Sequence, residues 1–170
     1  EQLLDQLMQS KHDDLETDLA ILIDTYHLEY LERRGDLQTA YSKVDSMISQ
    51  LREENRDICL RIRLLLWQVH LLDRAGRPQR GFSIAMKAAS LSWRARLLPQ
   101  LWQSLGKLSN ILISLGEFSA ASSILTAILP RALECETSEM NAILYSYLAD
   151  ASMGLAGREE PKSKKRTEYM

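Results

Sequence analysis

The chain has 170 residues, of which 45% are hydrophobic and 26% are charged, so it holds enough apolar material for about one domain. Only 7 glycines and 4 prolines stand among many helix formers, which argues against an all-β domain. The formal net charge of -2 gives no support for binding to nucleic acid or to a membrane surface.

Apolar residues at helical spacing run through most of the chain. Leu101, Leu105, Leu108 and Leu112 step by four, three and four residues along a helix that Pro99 can start. No stretch alternates with a period of two for long enough to predict a strand. In chain order we predict a short helix over 2–10 and helices over 14–33, 37–53, 56–75, 79–95, 99–115, 118–134 and 138–156. The basic residues after them lack the pattern, and we predict a disordered tail over 158–170.

Four turn glycines mark an internal repeat: Gly35, Gly76, Gly116 and Gly157. They are separated by 41, 40 and 41 residues. A small residue stands five positions after each of the first three, at Ala40, Gly81 and Ala121. Glycine closes a helix in the left-handed conformation, and a small residue lets two helices cross closely. The sequence therefore predicts an all-α fold of stacked antiparallel helical hairpins, a superhelix of about eight helices.

The repeat predicts one domain over 1–157, with units at about 14–53, 56–95, 99–134 and 138–157. The Gly-x-Phe-x-x-Ala stretch from Gly116 to Ala121 resembles the turn of the tetratricopeptide repeat. Two features depart from that family. The period is longer than the family's ~34 residues, and the usual small residue in the middle of the first helix is replaced. Those positions hold Leu28, Val69, Ser109 and Asp150.

A second resemblance covers roughly residues 100–157. This part of the chain resembles the C-terminal repeat region of a protein family, subunit 5 of the anaphase-promoting complex (cyclosome), in its fungal form. The stretches that carry the resemblance are 132–137, 145–150 and 153–157, together with Leu98 to Trp102. The resemblance implies a non-catalytic subunit of that complex's platform, which links other protein subunits of a nuclear cell-cycle ubiquitin ligase. We therefore expect a nuclear and cytoplasmic protein. The alternative is a stand-alone tetratricopeptide adaptor that recruits peptides.

Candidate catalytic and metal-binding residues are few. His12, His27 and His70 fall in different predicted elements, and in His12-Asp13-Asp14 an aspartate serves more simply as a helix N-cap than as a metal ligand. The chain contains no phosphate-binding loop, CxxC, HExxH or GxSxG motif. We predict no enzyme activity, cofactor, metal or small-molecule substrate, although a catalytic domain could lie elsewhere in a larger protein.

The two cysteines favour an intracellular protein. Cys59 and Cys135 match no metal or redox spacing, so we expect buried or partly buried reduced thiols. The chain begins at Glu1 without a signal pattern, and no apolar run approaches the ~20 residues of a membrane span. We expect a piece of a larger soluble protein.

Charge is distributed unevenly. Residues 1–32 hold nine acidic side chains against Lys11 alone, whereas residues 52–107 hold eleven basic side chains against four acidic ones. Either the charges are simply solvated, or this polarity sets the register of a partner. We rank a solvated face first, and nucleic acid far behind a protein partner.

The frame set by the turn glycines also predicts which side chains point into the concave groove of the superhelix. These are Thr25, Glu29, Arg63, His70, Asp73, Gln103 and Asn110. Such grooves bind extended peptides or helices. Chaperone-binding members carry Lys and Asn where this chain has Thr25 and Glu29, which argues against capture of a terminal carboxylate there. Trp67, Trp93 and Trp102 are expected to pack between hairpins. Either Tyr145 or Tyr147 is expected to be exposed.

Overall fold

The computed structural model describes residues 26–51, 58–135 and 138–164. This part of the chain contains seven α-helices and no strand. They are α1 over residues 26–33, α2 (Leu37–Gln50), α3 (Ile58–Arg74), α4 (Pro78–Arg94), α5 (Leu98–Ser114), α6 (Phe118–Cys135) and α7 (Ser138–Lys164). Apart from the start of α1, which coincides with the first described residue, and the end of α7, the described helix ends lie within three residues of the predicted ones. The helix predicted over 2–10 lies outside the described residues.

The helices stack as antiparallel hairpins in two layers. Each helix from α2 to α7 contacts its neighbours in the chain, and in addition α3 contacts α5 and α5 contacts α7. The odd-numbered helices therefore lie side by side in an inner layer, with α2, α4 and α6 behind them. The predicted fold class is confirmed. The assignment of 1–157 to one repeat domain stays a prediction, because residues 1–25 lie outside the described part.

Three predicted turn glycines close helices in the same way. Gly35, Gly76 and Gly116 have φ angles of 78°, 68° and 79°. At each site the glycine N–H donates to the carbonyl three residues earlier, and the next N–H donates to the carbonyl five residues earlier. This pattern satisfies carbonyls that a helix end leaves unpaired. It also reverses the chain at a fixed angle, so the hairpins repeat.

Arg96 closes α4 with the same geometry, although no glycine marks this turn. Its φ is 57°, its N–H donates to the Trp93 carbonyl, and the Leu97 N–H donates to the Ser92 carbonyl. The predicted helices over 79–95 and 99–115 leave room for this turn, but no residue type predicts the left-handed conformation at Arg96. Left-handed backbone costs an L-residue roughly 1–2 kcal/mol relative to glycine, so the stack tolerates strain here.

Arg96→Gly is expected to raise the free energy of unfolding by about 0.5–1 kcal/mol, because glycine relieves this strain at some cost in unfolded-chain entropy. Gly76→Ala is the reciprocal control and is expected to lower it by about 1 kcal/mol. Urea denaturation of both variants measures the pair. A loss of stability in the arginine variant would contradict the account.

The fourth predicted turn, at Gly157, is wrong. Helix α7 continues through this position to Lys164, and Gly157 does not have a positive φ. The predicted helix end at 156 is wrong for the same reason, and the predicted disordered tail is helical as far as Lys164. Each of the three turn glycines is followed two residues later by the residue that begins the next helix, namely Leu37, Pro78 and Phe118. Gly157 is followed instead by charged residues.

Small residues stand where outer and inner helices cross. Ala40, Gly81 and Ala121 are all buried, as the repeat predicts. At Gly81 an added Cβ would lie 3.0 Å from Ile111 Cδ1. The isoleucine therefore fills the notch that the glycine leaves, and α4 lies close against α5.

Two expectations about burial are wrong and one is confirmed. Trp93 is 69% exposed, and Cys59 is exposed as well. Both side chains lie on helix faces that no other described helix covers. Tyr145 is exposed at 49%, whereas Tyr147 is half-buried, so the expectation for that pair is confirmed. Trp102 is buried in the core, and the side chain of Cys135 lies outside the described residues.

Candidate protein-binding groove

The inner faces of α3 and α5 carry polar and aromatic side chains at matching positions. Both helices place them with steps of four, three and four residues, which keeps them on one face. Each position on α5 lies 40 residues after its counterpart on α3. The counterparts are Arg63 and Gln103, Trp67 and Lys107, His70 and Asn110, and Arg74 and Ser114. The repeat therefore fixes the lining of the groove.

A carboxylate on α1 joins α1 to α3. His70 Nε2 donates to Glu32 Oε1 over 2.8 Å, and Arg74 Nε lies 3.8 Å from the same oxygen. A carboxylate accepts hydrogen bonds only, so the Nε2 atom of His70 carries a proton. Glu32 stands three residues before its turn glycine. In the next hairpin the equivalent position is occupied by Asp73.

Asp73 makes the equivalent connection from α3 to α5. It also stands three residues before a turn glycine. Its Oδ2 accepts a hydrogen bond of 2.8 Å from Asn110 Nδ2, and its Oδ1 accepts one of 2.8 Å from Ser114 Oγ. The partners of Glu32 and Asp73 occupy matching positions on their helices. The two carboxylates are therefore repeated clamps between successive inner helices.

The third position of this series is apolar. Ile113 stands three residues before Gly116 and packs in the same hydrophobic cluster as Ala151 of α7. The contact between α5 and α7 is thus hydrophobic at the point where the two earlier contacts are polar.

A pocket of about 220 Å³ opens between α3 and α5 on this face. Its lining combines two cations with an apolar and aromatic surface: Arg63, Leu66, Trp67, His70 and Lys107. The rings of Trp67 and His70 meet edge to face, with centroids 5.8 Å apart. Since His70 is held by Glu32, the wall of the pocket is fixed before any ligand arrives.

Burial shifts the pKa values of two groups on the inner face. Desolvation lowers the pKa of Lys107 below its ordinary 10.5, and the carboxylates of Asp73 and Glu32 oppose that shift. Burial also raises the pKa of Tyr147 above 10.0, with added repulsion from Asp73 and Asp150. No ion pair of Lys107 occurs among the described residues. The ammonium group is thus held in the pocket wall at a cost in hydration.

Lys107→Met is expected to flatten the alkaline side of the stability profile. Between the lowered pKa of folded Lys107 and its unfolded value, the unfolded chain binds more protons, so the free energy of unfolding rises with pH. Urea denaturation from neutral pH up to the ordinary lysine pKa of 10.5 measures this rise. Lys87→Met, at an exposed position on α4, is the control and keeps it. Equal slopes in the two variants would contradict the account.

The structure places the predicted groove residues as follows. Arg63 and His70 line the pocket, and Gln103 lies on the same face of α5 as Lys107. His70, Asp73 and Asn110 are engaged in contacts between helices, so they build the groove before they bind anything. Glu29 is half-buried on α1, and Thr25 lies outside the described residues.

Sequence reasoning missed Lys107, Trp67 as a pocket residue, and the clamp role of Glu32. A usable signal existed for the first two, because Trp67 and Lys107 both stand nine residues before a turn glycine. The same rule places Glu32 and Asp73 at one repeat position. Which side chains pair across helices depends in addition on the register between hairpins. Packing sets that register, and no local motif in the sequence reveals it.

The other chemistry-bearing candidates do not assemble into a site. In the described ranges, no group of three or more His, Cys, Asp or Glu side chains could hold a metal ion. His27 lies exposed, with its Nδ1 3.1 Å from Lys43 Nζ, and the His12 cluster lies outside the described residues. No helix in this part of the chain combines the length and apolar character needed to span a membrane.

Comparisons with known proteins do not assign a family. No protein-family model matches the chain, and no curated protein matches it. Among solved structures, the chain is similar to a protein of Podosopora anserina described as a kinesin light chain with nearly identical TPR-like repeats. The identity is 14%, the match covers 82% of this chain and 89% of that one, and the TM-score is 0.37. A variant of that protein matches at 13% identity over 85% and 90%, also with a TM-score of 0.37. At these scores the likeness carries no argument, and the fold stands on the hairpins themselves.

Proposed function

We propose that this chain is a non-catalytic protein-interaction scaffold whose stacked hairpins hold other polypeptides in fixed positions. The observation that carries the proposal is the inner face, where Glu32 and Asp73 clamp successive helices and leave a preformed groove. A rigid groove spares a partner part of the ordering cost of binding. The finer assignment is to the platform of the anaphase-promoting complex, as a subunit that bridges others in a nuclear and cytoplasmic ubiquitin ligase.

Large apolar side chains exposed away from the groove also support a scaffold. The most exposed are Tyr26, Trp93 and Met153, at 64%, 69% and 65%. Tyr145 and Met153 lie on the face of α7 that no other described helix covers. Tyrosine, tryptophan and methionine are enriched in protein–protein contacts. A subunit that touches several neighbours uses more than one face, and these side chains lie on three different helices, α1, α4 and α7.

Affinity purification of the intact parent protein from dividing cells, at moderate salt, tests the proposal. Stoichiometric recovery of a large ubiquitin-ligase assembly is the expected result. Recovery of only chaperones, of a single peptide-bearing client, or of nothing would overturn the platform assignment.

The pocket between α3 and α5 favours a second candidate, a stand-alone adaptor that recruits peptides. The two candidates differ in how the isolated chain behaves in solution. A permanent scaffold with uncovered apolar faces self-associates, whereas an adaptor with a polar groove is a soluble monomer. Sedimentation velocity over a range of concentrations distinguishes them.

Charge reversal on α3 tests whether either function uses the groove. Arg63→Glu is suitable, because Arg63 is exposed and lines the pocket. Arg61, two residues earlier on α3, is not suitable for charge reversal, because its Nε is buried without a hydrogen-bond partner. A change there would alter folding as well as binding. Unchanged partner binding by Arg63→Glu would remove the groove from the proposed function.

A further inference from the structure

The pocket between α3 and α5 has a composition that the clamps between helices do not explain. It brings Arg63 and Lys107 together over the rings of Trp67 and His70, beside Leu66. Glu32 and Asp73 both lie near enough to act on Lys107, yet each accepts its hydrogen bonds from other side chains. The two cations of the lining are therefore not neutralised by a carboxylate inside the pocket.

We propose that this pocket binds the carboxylate of a single Asp or Glu side chain, presented by an extended segment of a partner protein. The aliphatic stem of the acidic residue, or an apolar neighbour, packs against Trp67 and Leu66. Arg63 and Lys107 hold its two oxygens from opposite helices. The proposal deepens the proposed function and rests on it, since it assigns the chemistry of the partner at this groove.

The surroundings of the pocket favour one carboxylate over a polyanion. Glu32 and Asp73 border the pocket on the inner face, so a second negative charge beside the first meets repulsion. This arrangement opposes nucleic acid and runs of acidic residues. The largely apolar lining likewise favours a carboxylate on a hydrocarbon stem over a strongly hydrated phosphate.

Neighbouring side chains suit an extended backbone on both sides of that carboxylate. Gln103 lies four residues before Lys107 on the same face, and no hydrogen bond of its amide occurs among the described residues. An amide carries both donors and acceptors, so it can bond to the main chain of a peptide. Asn110 lies on the other side of Lys107 and is fixed by Asp73. The groove can thus hold a peptide along α5 with its acidic side chain in the pocket.

Binding of an anion in the pocket also explains why a partly buried lysine, Lys107, occupies its wall. An ammonium group desolvated without a close partner lowers stability, and an incoming carboxylate restores the lost interaction. Residues kept at a cost to stability are a feature of binding sites. Lys107→Met is therefore expected to stabilise the free chain near neutral pH and to weaken binding. A purely structural lysine would not show these two opposite effects together.

The test selects random linear peptides from a phage-displayed library on the whole chain and measures the enriched peptides by fluorescence polarisation. The expected result is enrichment of one acidic residue beside an apolar one. Replacing that residue by its amide, or introducing Lys107→Met or Arg63→Ala, is expected to weaken binding about tenfold. Lys87→Met on the outer layer is the matched control and is expected to leave the affinity unchanged.

Four results would overturn the proposal. They are the absence of enriched peptides, enrichment without an acidic position, binding that Lys107→Met does not weaken, and binding lost when only the peptide's terminal carboxylate is amidated. The last would assign the pocket to a chain end. The third result would mean that the peptides bind elsewhere on the chain, and it would leave the protein-interaction role intact. Failure of that broader role appears separately, in the affinity purification.

Discussion

Replacing Ile111 by Ala is expected to lower the free energy of unfolding by about 2–5 kcal/mol, the range for large buried aliphatic residues cut to Ala. Ile111 is 0% exposed and packs in a cluster with residues from every helix from α3 to α7. Its Cδ1 also fills the notch at Gly81. The helices cannot close around the lost methyl groups without moving a hairpin, so a cavity remains.

Ile113→Ala, on the same helix, is the matched control. Ile113 is only partly buried, and its truncation is expected to cost about 1 kcal/mol. Urea denaturation with a common slope compares the two variants. Equal losses would contradict the claim that the crossing of α4 and α5 at Gly81 is a principal packing contact of the stack.

Gly154→Ala is expected to destabilise the chain by about 1–3 kcal/mol, because the added methyl group overpacks the contact between α6 and α7. The new Cβ would collide with Cδ1 and Cε1 of the Phe118 ring and would lie 2.6 Å from its Cγ. These atoms cannot withdraw without changing the side-chain rotamer of Phe118. The ring also lies under the guanidinium of Arg158, whose Cζ is 5.0 Å from its centroid.

Gly157→Ala separates this collision from the general effect of glycine in a helix. An added Cβ at Gly157 meets nothing within 4 Å. Because alanine is the better helix former, this variant is expected to gain up to about 1 kcal/mol. Thermal or urea unfolding of both variants measures the difference. A gain at both positions would contradict the close approach of α7 to Phe118, and a loss at both would contradict the helical state of Gly157.

The turns show how far local sequence predicts this fold. Gly35 and Gly116 each precede, by two residues, an apolar side chain that re-enters the core, and both form the predicted turn. Gly76 forms the turn with Pro78 at that position, whereas Gly157 is followed by Arg158 and Glu159 and stays helical, so glycine alone was a misleading signal. Arg96 adopts the left-handed conformation because packing of α4 on α5 fixes the turn, and the residue type does not reveal it.

Part of the groove was also predictable from local sequence. The period of 40 or 41 residues and the steps along each helix place Arg63, His70 and Asn110 on the inner face. The sequence did not reveal that Asp73 holds α5 in register, because that contact joins residues 37 positions apart. The exposure of Trp93 was not predictable either. It depends on which helices cover its face of α4, and composition does not determine that coverage.

Zero-length cross-linking of the parent protein, recovered with its partners, tests most directly whether the inner face holds another polypeptide. Carbodiimide joins a lysine amine to a carboxylate in contact with it, and mass spectrometry locates the bond. The account predicts a bond between Lys107 and an Asp or Glu of another polypeptide, which is lost with Lys107→Met. Cross-links to other polypeptides from Lys87 on the outer layer, with none from Lys107, would contradict it.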